Sequence, residues 1–280
     1  RIDPHRIGQL LAVSSSYSID QTPVSLGRSV ELLARDPLPG HGSLVWSRAR
    51  GLVALMALDR TAIGAPWPPA PHPAASVHRP VNPSPPKFER AVLTLAMGPR
   101  IYWKMAVNLA RSIHLWHPGM SLPVFIATDC NEKPPADLPN VSVVKLRPGE
   151  LGGGFRPKLH LDRLAPGRQT LFIDADCLVY SSLTPIFEQF AGQPVGVLAS
   201  RISHGEWFGD VGRYCHELGV PALPKFNGGL YYLEPSLAGP VYTEARALGE
   251  RYDELGLVRL RGSPNEELVM AGALARHNLW

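Results

Sequence analysis

Cysteine is scarce in this 280-residue chain: Cys130, Cys177 and Cys215 stand far apart and are odd in number. That spacing suggests neither a disulfide framework nor a zinc site, and a reducing, cytoplasmic setting is expected. Long apolar runs are missing as well. The longest, "GLVALMAL" (51–58), is too short for a bilayer and has Arg48, Arg50 and Arg60 around it, so no transmembrane segment is expected. The chain opens with neither Met nor a charged-then-apolar leader. It reads as a fragment, so the lack of an export signal decides nothing. Lysine is absent from residues 1–86, which hold eight Arg and five acids, a net of +3. Residues 87–280 hold 20 basic and 19 acidic side chains, a net of +1, with no Lys/Arg cluster to track phosphates. Nucleic acid is therefore not an expected partner.

Nine prolines crowd residues 66–86. Proline lacks the N–H that ladders and helices need, so this stretch reads as an extended linker. Residues 1–65 carry short apolar patches broken by Pro and Gly, with "SVELLARD" (29–36) the best helical candidate. A weakly ordered extension is expected there, with a translated upstream stretch or a small helical domain as alternatives. From Phe88 the character changes. "RAVLTLA" (90–96), "LPVFIATD" (122–129) and "VSVVKL" (141–146) read as strands, and "RIYWKMAVNLARSIHLWHP" (100–118) as a helix with Tyr102, Ala106, Leu109, Ile113 and Trp116 on one face. "RPKLHLDRLA" (156–165) reads as a short helix ahead of the strand "QTLFIDADCLVY" (169–180). This alternation, with continuous apolar strands, predicts an α/β domain over 87–280 whose mostly parallel sheet is covered on both sides.

Asp174 and Asp176 interrupt the most apolar of these strands. On an extended chain they would project to one side while the small Ala175 points away. Two carboxylates so close need a cation, and hard oxygen donors suit Mg²⁺ or Mn²⁺, which can also hold phosphate oxygens. A pair of aspartates in a strand-end turn, capping the backbone, is the plainer alternative. Haloacid-dehalogenase-like phosphatases also carry a D-x-D strand, but there Gly-Thr follows and the strand opens the domain; here Cys177 and Leu178 follow, after three strands.

The segments "RIYWKMAVNLARSIHLWHPGMSLPVFIATD", "RPKLHLDRLAPGRQTLFIDADCLVYSSLTPIFE", "KFNGGLYYLEP" (225–235) and "SPNEELVMAGAL" (263–274) together resemble the nucleotide-sugar glycosyltransferases of the GT-A fold. Within that fold the segments look like the family-8-like group, which includes glycogenin-like and bacterial galactosyltransferases. The resemblance implies a Rossmann-like mixed sheet with helices on both faces. It also implies transfer of a sugar, with retention, from a nucleotide-sugar, UDP-linked by family likeness, to an unknown glycan, lipid or protein acceptor, in a cytoplasmic or membrane-peripheral setting. Asp174 and Asp176 would hold Mn²⁺ or Mg²⁺ against the donor's diphosphate, with Asp174 also touching the ribose. Thr94 and Ala175 would face the nucleotide, and Lys158 would meet the phosphates or orient Asp174. Asn227, Gly228 and Gly229 would line the sugar pocket, and Glu266, with Glu267 second, would serve the donor sugar.

Each of these positions has a plain structural reading beside it. Lys158 could be an exposed helix residue, Asn227-Gly228 a simple turn, and Glu266 and Glu267 first-turn acids behind an Asn265 cap. The chain departs from the resembled pattern twice. Asn265-Glu266 stand where the family carries Asp-Gln, and the histidine that completes the family's metal shell has no counterpart before Trp280; His277 reads as a helix-end residue. Truncation or a differently completed metal site is expected. Trp207 and Phe208, in a stretch with few strand signals (200–224), read as exposed aromatics of an acceptor loop or as ordinary packing. A nucleotidyltransferase and a non-catalytic nucleotide-sugar-binding protein are the alternatives; the first would need more glycine than "LAMGPRIYWK" offers after the first strand.

Overall fold

The computed structural model describes residues 87–119, 121–260 and 262–279; the extension and linker expected over 1–86 lie outside the described residues. In chain order the elements are β1 (Phe88–Leu95), α1 (Arg100–Trp116), β2 (Val124–Thr128), β3 (Val141–Lys145), a 3₁₀ turn (Arg156–His160) running into α2 (Leu161–Leu164), and β4 (Gly167–Ile173). There follow α3 (Thr184–Phe190), β5 (Val195–Gly196), β6 (Ala199–Ile202), α4 (Val211–Leu218), β7 (Leu223–Phe226), β8 (Leu230–Leu233), α5 (Pro235–Glu250) and α6 (Glu266–Arg276). Six strands form one sheet in the order β3-β2-β1-β4-β8-β5, while β6 and β7 pair apart as an antiparallel ribbon. The first four in chain order run parallel, and β8 enters antiparallel between β4 and β5. A mixed sheet with helices on both faces is the architecture the sequence predicts.

The unbroken apolar character of the strands follows from burial on both faces. Leu171 and Ile173 of β4 join Val92 and the α1 residues Ala106, Leu109 and Ile113 in one core. Phe172, between them, joins Leu93, Tyr231 and residues of α5 and α6 in the other. The middles of β1, β2 and β4 are covered on both faces and carry no charge, whereas the edge strand β3 exposes Ser142 and Lys145. Helix α1 buries Trp103, Ala106, Val107, Leu109, Ala110 and Ile113. Trp116, expected on that stripe, is 38% exposed and anchors its indole N–H on Val179 O at 3.1 Å.

Two other expectations change. The helix over 156–165 is a 3₁₀ turn followed by a single α turn, because Ala165 precedes Pro166 and must turn extended. Residues 200–224 are not an open loop: they hold β6, α4 and the start of β7. Asp210 caps α4 by accepting from Arg213 N–H, and Gly219 closes it at φ 67°. Trp207 is buried edge-on against Phe226 rather than presented to solvent, and Phe208 is half-buried.

Helix α6 carries the acids expected at the site, and its distance from α4 and α5 is set by Gly272. A methyl group there would stand 2.4 Å from Tyr214 Oη and 2.8 Å from a Leu218 methyl carbon. Gly272→Ala is expected to lower stability by about 1–3 kcal/mol despite alanine's better helix propensity, because overpacking outweighs it. Denaturant unfolding of the two proteins measures the difference.

Candidate functional site

Antiparallel pairing puts Ile173, the last residue of β4, opposite Leu230, the first of β8. The residues just after β4 therefore meet those just before β8, at the carboxyl edge of the parallel strands. Asp174 N–H donates to Gly229 O at 2.9 Å, and Cys177 N–H turns back onto Asp174 O at 3.0 Å. The strand thus ends before the aspartates, which sit on a tight turn and not on extended chain; the alternation expected of them does not apply. Ala175 and Cys177 pack into the α1-side core. Asp176 is buried, with Cys177 Sγ 4.0 Å from its Oδ1.

Lys158 is the centre of the site. Its Nζ lies 2.8 Å from Asp174 Oδ2, 2.9 Å from Gly228 O and 3.1 Å from Glu266 Oε1, and 5.6 Å from the centre of the Phe172 ring. It is no exposed helix residue: its side chain is 11% exposed, against 17% for Asp174 and 3% for Glu266. Three local devices place it. Gly152 and Gly154 adopt positive φ, and a Cβ on Gly154 would stand 2.7 Å from Ser263 Oγ, so this loop presses against the lead into α6. Pro157 opens the 3₁₀ turn. Arg246 of α5 then holds that turn, donating to Leu159 O at 2.9 Å and to Asp162 Oδ1 at 2.9 Å.

Helix α6 begins as expected, with Asn265 Oδ1 accepting from Glu267 N–H at 2.7 Å. This aims Glu266 at Lys158, while Glu267 Oε1 accepts from Gly228 N–H at 2.8 Å. Gly228 is confined by its neighbours: a Cβ would fall 2.5 Å from Glu266 Oε1 and 3.3 Å from Tyr231 Oη. Asn227 spends its side-chain oxygen on Gly229 N–H at 2.9 Å, so the turn reading of Asn-Gly holds locally even though the turn borders the acids.

The acids outnumber the cation. Burial pushes the Glu266 carboxyl up; Lys158 opposes this and Asp174 adds to it. Burial, with the neighbouring Glu266 charge, lifts the Glu267 carboxyl to about 7. Among the described residues no group of three or more His, Cys, Asp or Glu is arranged to hold a metal. The carboxylates at hand are Asp174, whose Oδ1 has no partner among the described residues, and the buried Asp176. That set suits a cation taking its other places from water and phosphate oxygens, the habit of Mg²⁺, and the negative surplus favours such an ion.

Lys158, Asp174, Asn227, Gly228, Gly229, Glu266 and Glu267, expected separately from the sequence, are thus brought together, with Asp176 buried two residues along. Thr94 is not: it is fully buried and its hydroxyl has no partner among the described residues. Its place in β1 shares the side of Val92 and Ala96, which pack toward α1, while Phe172 beneath Lys158 belongs to the opposite core. Ala175 likewise turns its methyl away. Sequence reading missed Tyr231, whose hydroxyl is buried beside Gly228 with no partner among the described residues and is held protonated well above its usual range by burial and by Glu266 and Glu267. A tyrosine inside an apolar strand is a hint, since a buried phenol needs a partner. Arg246 was missed too, and nothing in its local sequence marks it.

No family model and no curated protein matches the chain. Among solved structures it is similar to the galactosyltransferase LgtC in complex with donor and acceptor sugar analogs, at 15% identity and a TM-score of 0.49 over 66% of this chain and 70% of that one. It is similar also to mouse xyloside xylosyltransferase 1 in its apo form, at 14% identity and 0.45 over 69% and 83%. The glycosyltransferase GlyE of Streptococcus pneumoniae TIGR4 aligns at 14% identity and 0.39 over 65% and 42%. By name these are glycosyltransferases, the class that the sequence motifs resemble. No helix among the described residues is long and apolar enough to cross a membrane.

The raised Glu267 carboxyl has a consequence for folding. The folded form holds this proton more tightly than the unfolded form, whose ordinary value is 4.5. The contribution to stability is therefore fully present below about 4.5 and lost as the pH rises through about 7. Glu267→Gln is expected to flatten this fall, by about 1–3 kcal/mol between pH 4.5 and 8. Urea titrations of both proteins across that range in metal-free buffer measure the slope.

Proposed function

We propose that the chain is a glycosyltransferase that moves a sugar from a UDP-sugar, with retention and with Mn²⁺ or Mg²⁺ bound, to a glycan, lipid or protein acceptor. The observation that carries this reading is the shared ammonium of Lys158, which ties Asp174, Glu266 and the Gly228 carbonyl into one acidic, partly buried cluster at the sheet's carboxyl edge. Ligands of open α/β sheets bind at that edge. Asp174 and Asp176 would hold the metal, which when bound would supply positive charge for the departing nucleoside diphosphate.

The chain's own residues have separable tasks in this scheme. Lys158 keeps one Asp174 oxygen fixed and leaves the other to the ligand. Gly228, having no side chain, lets Glu266 and Glu267 close in on the Asn227–Gly229 turn, so that the acids and the turn border one site. Glu266, oriented by Lys158, stands ready to stabilise positive charge developing at the anomeric carbon. Glu267, held near neutrality in its proton affinity, can keep or release a proton at physiological pH. Tyr231 offers a hydroxyl at the floor beside Gly228.

Hydrolysis of UDP-sugars in the presence of Mn²⁺ is the direct assay. Activity is expected in the native chain and should fall at least about 100-fold in Asp176→Ala. Asp176→Asn, which keeps the volume, should lose activity while retaining the native unfolding midpoint within about 1 kcal/mol. Nucleotide binding that ignores both the metal and these substitutions would instead identify a non-catalytic binding protein of the same architecture.

A further inference from the structure

A second concavity lies on the other side of the sheet from the Lys158 cluster. It is a groove of about 470 Å³ between the outward side of α1 and the segment after β2. Arg100, Lys104, Arg111 and Lys133 line it, with Asn108 between them. Its floor is apolar, made by Trp103 and Val107, which are nearly closed to solvent. Among the described residues two acids pair with these four cations: Glu132 meets Arg100 at 2.6 Å and Asp137 meets Arg111 at 3.3 Å. The Arg111–Asp137 pair is more than half exposed on both sides, and Arg100 is 73% exposed, so each ion pair is weak. Lys104 and Lys133 have no hydrogen bond or ion pair among the described residues. The groove therefore carries a surplus of two positive charges over an apolar floor.

We propose that this groove binds an organic phosphate, its phosphate held between Lys104 and Lys133 and its carbon skeleton laid on Trp103 and Val107. Two ammonium groups and two guanidinium forks match phosphate oxygens as point charges and as bidentate donors. The volume is within the range of small-molecule sites. Three other occupants fit less well. Residues 1–86 carry a net charge of +3, the wrong sign for this surface. A membrane contact would rest on the exposed Ile101, Leu115 and Trp116 of α1, none of which lines the groove. A nucleic acid would need basic residues beyond the groove, and the domain's net charge is only +1. The site is independent of the proposed donor pocket, because α1 covers the core of Val92 and Ile173 while the Lys158 cluster sits over Phe172.

Calorimetric titration of the full chain with inorganic pyrophosphate in metal-free buffer tests this. Binding is expected, and Lys104→Gln with Lys133→Gln should weaken it at least about tenfold by removing two charge-assisted contacts. Asp174→Asn should leave it unchanged. The proposal is overturned if pyrophosphate does not bind, if the double variant binds as tightly as the native chain, or if Asp174→Asn is the change that abolishes binding. It is also overturned if the double variant loses only adhesion to phosphatidylserine vesicles, which would make this face a membrane contact.

Discussion

One ammonium group shared among two carboxylates and a backbone carbonyl is what the site depends on. Lys158 is nearly buried, so its charge is expensive unless matched, and Asp174 and Glu266 match it at 2.8 and 3.1 Å. The three residues come from three elements: the 3₁₀ turn, the turn that ends β4 and the first turn of α6. Gly228, ahead of β8, supplies the carbonyl. No two of these elements adjoin in sequence, and each is held from behind. Arg246 grips the 3₁₀ turn, Asn265 caps α6, and the β4–β8 register seats Asp174 against Gly229.

Around that ammonium the charge does not balance. A further carboxylate, Glu267, lies next to the pair that Lys158 serves, in surroundings that raise its proton affinity, and Asp176 is buried two residues beyond Asp174. In the proposed function that excess is what would receive a divalent ion. Gly228 belongs to the same logic. Glu266 and Tyr231 crowd it so closely that a side chain would displace the acid that Lys158 orients.

The sheet separates two regions of opposite sign. Its carboxyl edge, over the α5–α6 face, gathers acids around Lys158, while α1 on the other face gathers Arg100, Lys104, Arg111 and Lys133 along a groove. Summed over the domain the charges nearly cancel, which is why composition suggested no electrostatic partner at all. Net charge describes the whole molecule, and binding responds to local surpluses.

The elements whose signals are local were legible in residue pattern alone. Apolar runs marked β1 to β4, a one-face stripe at helical spacing marked α1, and Asn265 with its following acids marked α6. The sequence also named nearly every member of the Lys158 cluster, through motifs resembling a known family. It misjudged the aspartates' geometry because a strand's end is set by the turn that follows, here the Cys177 to Asp174 hydrogen bond. It passed over β6, α4 and β7, although Asp210 and Gly219 bracket α4 legibly; β7 holds Pro224 and pairs only with β6, so strand patterning is faint there. Only the tertiary structure decided that Thr94 faces away and that Arg246 holds the lysine's turn. It alone put Tyr231 beneath Gly228 and four cations around one groove. Those relations join residues tens of positions apart, and nothing in local propensity or period records which distant side chains a sheet's register will bring into contact.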